Sequence, residues 1–77
     1  MLIIYTKKDC PNCIIVKQRC MLAGISFTEA LLDSAEKIEK FKENYPKARS
    51  VPFVISESGD VIGGFSAFKT WLHSRES

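Results

Sequence analysis

The sequence predicts an α/β fold in the order βαβαββα, a four-stranded mixed sheet with helices on both faces. Three observations carry that reading. An apolar, β-branched run, Leu2-Ile3-Ile4-Tyr5-Thr6, comes before a stretch from Ile14 to Ala23 that has neither Gly nor Pro. Ile25 to Leu31 then alternates apolar and polar residues after Gly24, a helix-stop residue. Finally, two β-rich runs flank the turn-forming Glu57-Ser58-Gly59-Asp60.

Each element has its own local signal. Leu2 to Thr6 reads as the first strand and Ile14 to Ala23 as a helix. Ile25 to Leu31 reads as a second strand lying parallel to the first. Asp33 is positioned to cap a helix from Ser34, with Glu36 completing a capping box, and Ile38, Phe41 and Tyr45 recur on one face. Pro46 ends that helix, because the residue before a proline avoids the helical region. Val51 to Ser56 and Val61-Ile62 make an antiparallel hairpin around the turn. Gly63-Gly64 breaks it, and Ser66 caps a closing helix with Phe68, Trp71 and Leu72 on one face.

Composition sets the bounds. The 77 residues are expected to form one domain spanning positions 1–77, at a size where buried apolar area only just outweighs lost chain entropy. A net charge of +2 is too small to argue for nucleic acid. No apolar run approaches the ~20 residues that cross a membrane. Met1 is followed at once by a strand-like run, without the charged-then-apolar order of a secretory signal, so a cytoplasmic location is expected. In that reducing compartment a C-x-x-C pair is more often catalytic or metal-binding than a permanent staple.

Cys10-Pro11-Asn12-Cys13 is the feature that carries chemistry, because it stands where the first strand hands over to a helix. Unpaired N–H groups and the partial positive charge at a helix N-terminus favour thiolate over thiol. Such sites lower a cysteine pKa from about 8.5 to roughly 3.5–7.5. Cys10, at the helix mouth with its sulfur expected to face solvent, reads as the nucleophile. Cys13, one turn further in, reads as the resolving thiol. Pro11 suits the first helical position. Lys7 and Lys8 add positive charge, and Asp9 opposes it.

Two weaker signals accompany the dithiol. Val51-Pro52 stands at the start of the third strand, either as an edge-strand proline or as a cis bond facing Cys10 that frees the Val51 backbone for an extended thiol peptide. In Gly63-Gly64-Phe65-Ser66, two glycines permit close backbone approach and the helix start offers N–H groups to a carboxylate.

Taken together, Tyr5-Thr6-Lys7, Cys10-Pro11-x-Cys13, Arg49-x-Val51-Pro52 and Gly63-Gly64 resemble the glutaredoxin family over nearly the whole chain. The resemblance implies a thioredoxin-like fold and reduction of protein disulfides and glutathione mixed disulfides. Glutathione would be the co-substrate, with no bound cofactor and no metal. It implies that Cys10 takes up glutathione or the target sulfur and Cys13 releases it. Lys7 and Arg49 would lie near the glycine carboxylate of glutathione, with Pro11 and Asn12 beside the sulfur. Val51, ahead of a cis Pro52, would pair with the cysteinyl backbone, and Gly64, Phe65 and Ser66 would receive the γ-glutamyl carboxylate. Relatives of this size often serve ribonucleotide reductase, and a monomer is expected. The chain departs from the family at Asn12, where an aromatic residue is common, and at Ser66 and Ala67, where an acidic residue is frequent.

Other readings compete. Small redoxins reduced by thioredoxin reductase share the strand-dithiol-helix start and carry Ser-Gly-Phe where this chain has Gly63-Gly64-Phe65. A zinc site from Cys10, Cys13, Cys20 and His73 lacks the second close ligand pair that structural zinc sites usually supply. A non-catalytic interaction domain would have no reason to place a dithiol at a helix mouth. An iron–sulfur carrier role is disfavoured by Pro11 and the second thiol. Cys20, on the Cys13 face, reads as a buried and inert thiol. Lys37, Lys40, Lys42 and Lys47, interleaved with Glu36, Glu39 and Glu43, read as a solvated mixed-charge face.

Overall fold

A computed structural model describes residues 1–48 and 50–76. Its elements run β1 (Leu2–Thr6), α1 (Pro11–Leu22), β2 (Phe27–Leu31), α2 (Ala35–Asn44), β3 (Phe53–Ile55), β4 (Val61–Gly63) and α3 (Phe65–Glu76), the expected order. The sheet order is β2-β1-β3-β4. β1 and β2 are parallel, with Leu2 opposite Phe27 and Thr6 opposite Leu31. β3 runs antiparallel to both β1 and β4.

Strand alternation divides the apolar residues between two faces. Leu2 and Ile4 of β1 and Val54 of β3 join Val16 and Cys20 of α1 and Phe68 and Leu72 of α3 in one core. Phe53 and Ile55 of β3 pack on the other face with Phe41 of α2, joined by Tyr5 and Tyr45. There the rings of Tyr5 and Phe41 lie 4.7 Å apart, and those of Phe41 and Phe53 meet edge-on at 5.5 Å. Helices therefore cover both faces, α1 and α3 on one side and α2 on the other.

Helix ends explain where the boundaries differ from expectation. α1 closes with Gly24 at φ +69, the Ile25 N–H donating to the Cys20 carbonyl and the Gly24 N–H to that of Met21. This left-handed glycine cap continues into Ile25, which packs on the core, and β2 starts only at Phe27. The cap of α2 is Ser34, not Asp33. Its Oγ accepts from the Lys37 N–H at 3.3 Å, while the Asp33 carboxylate pairs with Lys37 Nζ at 3.0 Å. Glu36 therefore falls one position short of a capping box. α3 begins at Phe65, one residue before the expected cap Ser66, and the Gly64 carbonyl accepts the Phe68 N–H at 2.9 Å. That early start brings α3 hard against Gly63, where an added Cβ would stand 2.8 Å from the Ala67 Cβ. With φ at +120, only glycine is accommodated there.

One polar cluster ties α1 to the edge strand. Thr6, buried, donates its hydroxyl to Glu29 Oε2 at 2.6 Å, and Lys17 Nζ reaches the same oxygen at 2.9 Å. Among the described residues no helix is long and apolar enough to cross a membrane.

Candidate active site

β1 ends at Thr6 and α1 begins at Pro11, so four residues turn the chain from strand to helix. The turn passes through Asp9 at φ +55, a left-handed conformation that Asp tolerates better than most residues. Cys10 comes next with extended backbone (φ −117, ψ 96) as the N-cap of α1, and Pro11 takes the first helical position. The Cys10 carbonyl accepts from the Ile14 N–H, and Cys10 Sγ accepts from the Cys13 N–H at 3.2 Å. A sulfur thus occupies the place that a Ser or Asp oxygen usually fills. A thiolate there would accept a charge-assisted hydrogen bond at the positive end of the helix. No acidic residue occupies the first turn of α1 to oppose it.

Cys10 and Cys13 are joined in a disulfide. Their exposures are 7% and 2%, the expected order, but Cys10 is more covered than its helix-mouth position suggested. The Val51-Pro52 segment accounts for part of that cover: the Val51 carbonyl oxygen lies 3.8 Å from Cys10 Sγ, and Pro52 is buried. The Val51–Pro52 bond is cis, the sharper of the two sequence readings. Val51 itself lies outside β3, which begins at Phe53. Among the described residues no backbone hydrogen bond engages its N–H or C=O.

The remaining expected residues come from separate segments of the chain. Gly64 abuts the same segment, its pro-Cβ direction 3.8 Å from the Pro52 carbonyl oxygen, so the N-terminus of α3 adjoins Pro52. Phe65 is half-buried there and Ser66 exposed. Lys7, exposed, shares a groove with Ser50 and Val51. Asn12 is exposed on the first turn of α1. Arg49 lies outside the described residues.

The structure also places residues that sequence reasoning left in the background. Lys42 and Ile38 of α2 line the groove that holds Lys7 and Val51. Nothing in the sequence links position 42 to position 7, since only the docking of α2 on the sheet brings them together.

Cys20 belongs to the core beside Val16, about 10 Å further along the helix axis than Cys13. Burial pushes its thiol pKa up. Among the described residues no group of three or more His, Cys, Asp or Glu side chains is gathered to hold a metal. A concavity of about 580 Å³ is lined in part by Met1, Gly24 and Trp71 and by no residue of the dithiol.

No family model matches the sequence, and no curated protein matches it. Solved structures do. Glutaredoxin 1 from Francisella tularensis, crystallised with cacodylate, aligns over 97% of this chain and 94% of its own with 27% identity and a TM-score of 0.80. Wheat glutaredoxin aligns over 95% of this chain and 70% of its own with 28% identity and a TM-score of 0.76. The thioredoxin-like protein BC3987 aligns over 92% of this chain and 96% of its own with 28% identity and a TM-score of 0.69. Together with the Cys10–Cys13 disulfide, these likenesses support a thiol–disulfide redox role.

Proposed function

Because the chain is a glutaredoxin-like protein of the thioredoxin fold, we propose that it is a glutathione-dependent thiol–disulfide oxidoreductase with Cys10 as nucleophile. The observation that carries this reading is the Cys13 N–H aimed at Cys10 Sγ, a donor already in place for a thiolate. The reduced dithiol begins the cycle. The Cys10 thiolate attacks one sulfur of a target disulfide, a Cys10 mixed disulfide forms, and the other target sulfur leaves as a thiolate that takes up a proton. Cys13, deprotonated, then attacks Cys10 Sγ, releasing the second target thiol and closing the Cys10–Cys13 disulfide. Two glutathione molecules supply two electrons to reopen it, leaving one oxidised glutathione. With a glutathione mixed disulfide, Cys10 takes the glutathionyl group and a second glutathione resolves it without Cys13.

Glutathione has two carboxylates and one ammonium, which call for cations at one end and helix-terminal donors at the other. Lys7 with Arg49 takes the glycine carboxylate, and the Val51 N–H and C=O pair with the cysteinyl backbone. The free N–H groups of the α3 first turn, from Gly64 through Phe65 and Ser66, take the γ-glutamyl carboxylate. Pro11 and Asn12 flank the sulfur. Protein disulfides, that of ribonucleotide reductase among them, form the second substrate class.

The likeness to a thioredoxin-like protein keeps thioredoxin reductase as the rival reductant. The deciding experiment is turnover of a glutathione mixed disulfide with NADPH and either glutathione plus glutathione reductase or thioredoxin reductase. Turnover with the glutathione system alone supports the proposal. Turnover with thioredoxin reductase alone assigns the chain to the other class of redoxin, and turnover with neither refutes both.

A further inference from the structure

A mostly apolar groove of about 200 Å³ lies between α2 and the segment before β3, with Leu32, Ile38 and Phe41 among its walls and Lys7 and Lys42 along it. Val51 also lines it, and the Val51 carbonyl is 3.8 Å from Cys10 Sγ, so this one residue links the groove to the reactive sulfur. Among the described residues neither Lys7 nor Lys42 is in an ion pair, whereas Lys17, Lys37 and Lys40 face carboxylates at 2.9, 3.0 and 3.9 Å. Among the described residues no acidic side chain lines the groove. Apolar walls with two unmatched cations suit a segment that is apolar and acidic.

We propose that this groove docks the residues C-terminal to the target cysteine of a protein substrate, an apolar side chain filling it and an adjacent Asp or Glu pairing with Lys42. The inference rests on the glutathione orientation proposed above. There the γ-glutamyl end points to α3 and the glycine end to Lys7, so a chain continuing past the glycine position enters the groove. The Val51 backbone holds the cysteine in register, and the groove selects the residues C-terminal to it.

The test uses reduced protein and peptides whose single cysteine is a mixed disulfide with a chromogenic aryl thiol. The aryl thiolate has the lower pKa and leaves, so Cys10 bonds to the peptide sulfur. Cys13 then displaces the peptide thiol and closes the Cys10–Cys13 disulfide. A peptide with Leu-Glu after the cysteine should release aryl thiolate about fivefold faster than one with Leu-Lys, the upper range for one exposed ion pair. The same residues placed before the cysteine should give no preference. Lys42→Glu should reverse the order, Ile38→Ser should erase the advantage that a Leu-Glu peptide holds over a Ser-Glu peptide with the wild-type protein, and both variants should react normally with the cysteamine aryl disulfide. Equal rates for all peptides, or variants that slow every substrate alike, overturn the proposal. Failure of the wild-type protein on the cysteamine compound would instead refute the exchange reading. The groove would then be judged by adding the Leu-Glu peptide with Ser for Cys to the oxidised protein: amide shifts at Ile38 and Lys42 uphold it, and their absence overturns it.

Discussion

The backbone N–H of Cys13 donates to Cys10 Sγ at 3.2 Å, so the residue proposed as the resolving thiol also holds the proposed nucleophile. The bond comes from the Cys13 backbone, and substitution of the Cys13 side chain should leave it in place. Cys13→Ser is therefore expected to keep reduction of glutathione mixed disulfides and lose that of protein disulfides, which need an internal thiol. Cys10→Ser should abolish both. Steady-state assays on the two substrate classes check this, and equal loss of both activities in Cys13→Ser would count against resolution by glutathione.

Thiol labelling should distinguish the cysteines. In the reduced protein Cys10 is expected to alkylate with a midpoint below the ordinary thiol value of about 8.5, because the helix N-terminus and the Cys13 N–H favour the thiolate. Cys20, buried and with its pKa raised, should label only on unfolding. Mass spectrometry of iodoacetamide-treated protein across a pH series reads both.

The Thr6–Glu29–Lys17 cluster should make stability pH-dependent. Glu29 is held below the usual carboxylate range first by the Thr6 hydroxyl and then by Lys17. Since its folded value is the lower one, the stabilisation is present above the unfolded value of about 4.3 and is lost as pH falls through the folded value. Glu29 is partly exposed, so Glu29→Gln should cost no more than about 1 kcal/mol at pH 7. The variant and wild-type urea curves should converge on acidification.

The two adjacent glycines should behave differently. Gly63→Ala puts a Cβ 2.8 Å from that of Ala67 at φ +120 and should cost about 1–3 kcal/mol. Gly64→Ala meets only an ordinary contact at 3.8 Å from the Pro52 carbonyl and should change stability by less than about 1 kcal/mol. Denaturant midpoints of the two variants test the contrast.

Phe68, with no exposed surface, joins α3 to the core formed by β1, β3 and α1. Phe68→Ala should cost about 3–5 kcal/mol, a large share of the stability of so short a chain. Its thermal midpoint should fall far enough for the variant to be partly unfolded at 37 °C.

Much of this architecture was legible locally. Alternation in Leu2 to Thr6 places Leu2 and Ile4 on one face and Tyr5 on the other, as the two cores require. Phe68 and Leu72 lie buried where their spacing put them, and Gly24 ends α1. The errors fall where neighbouring residues could serve the same end. Asp33 and Ser34 are both competent caps, and the contest was settled when Asp33 turned to Lys37. Ser66 was a plausible cap until the glycine pair let α3 begin a residue earlier. Ile38 has the helical spacing of Phe41 yet stays partly exposed, because it borders the groove.

By itself the sequence determined the order of elements, the dithiol at a helix start and the unequal burial of its two sulfurs. These depend on residue type and short-range spacing, which act within one turn or one strand. Only the tertiary structure decided that the Val51 carbonyl, 41 positions along the chain, covers Cys10, that Gly64 meets Pro52, and that Lys7 and Lys42 share one groove. Those approaches arise from how α2, α3 and the segment before β3 pack on the sheet, where the sum of many weak contacts sets each distance and no local pattern records it.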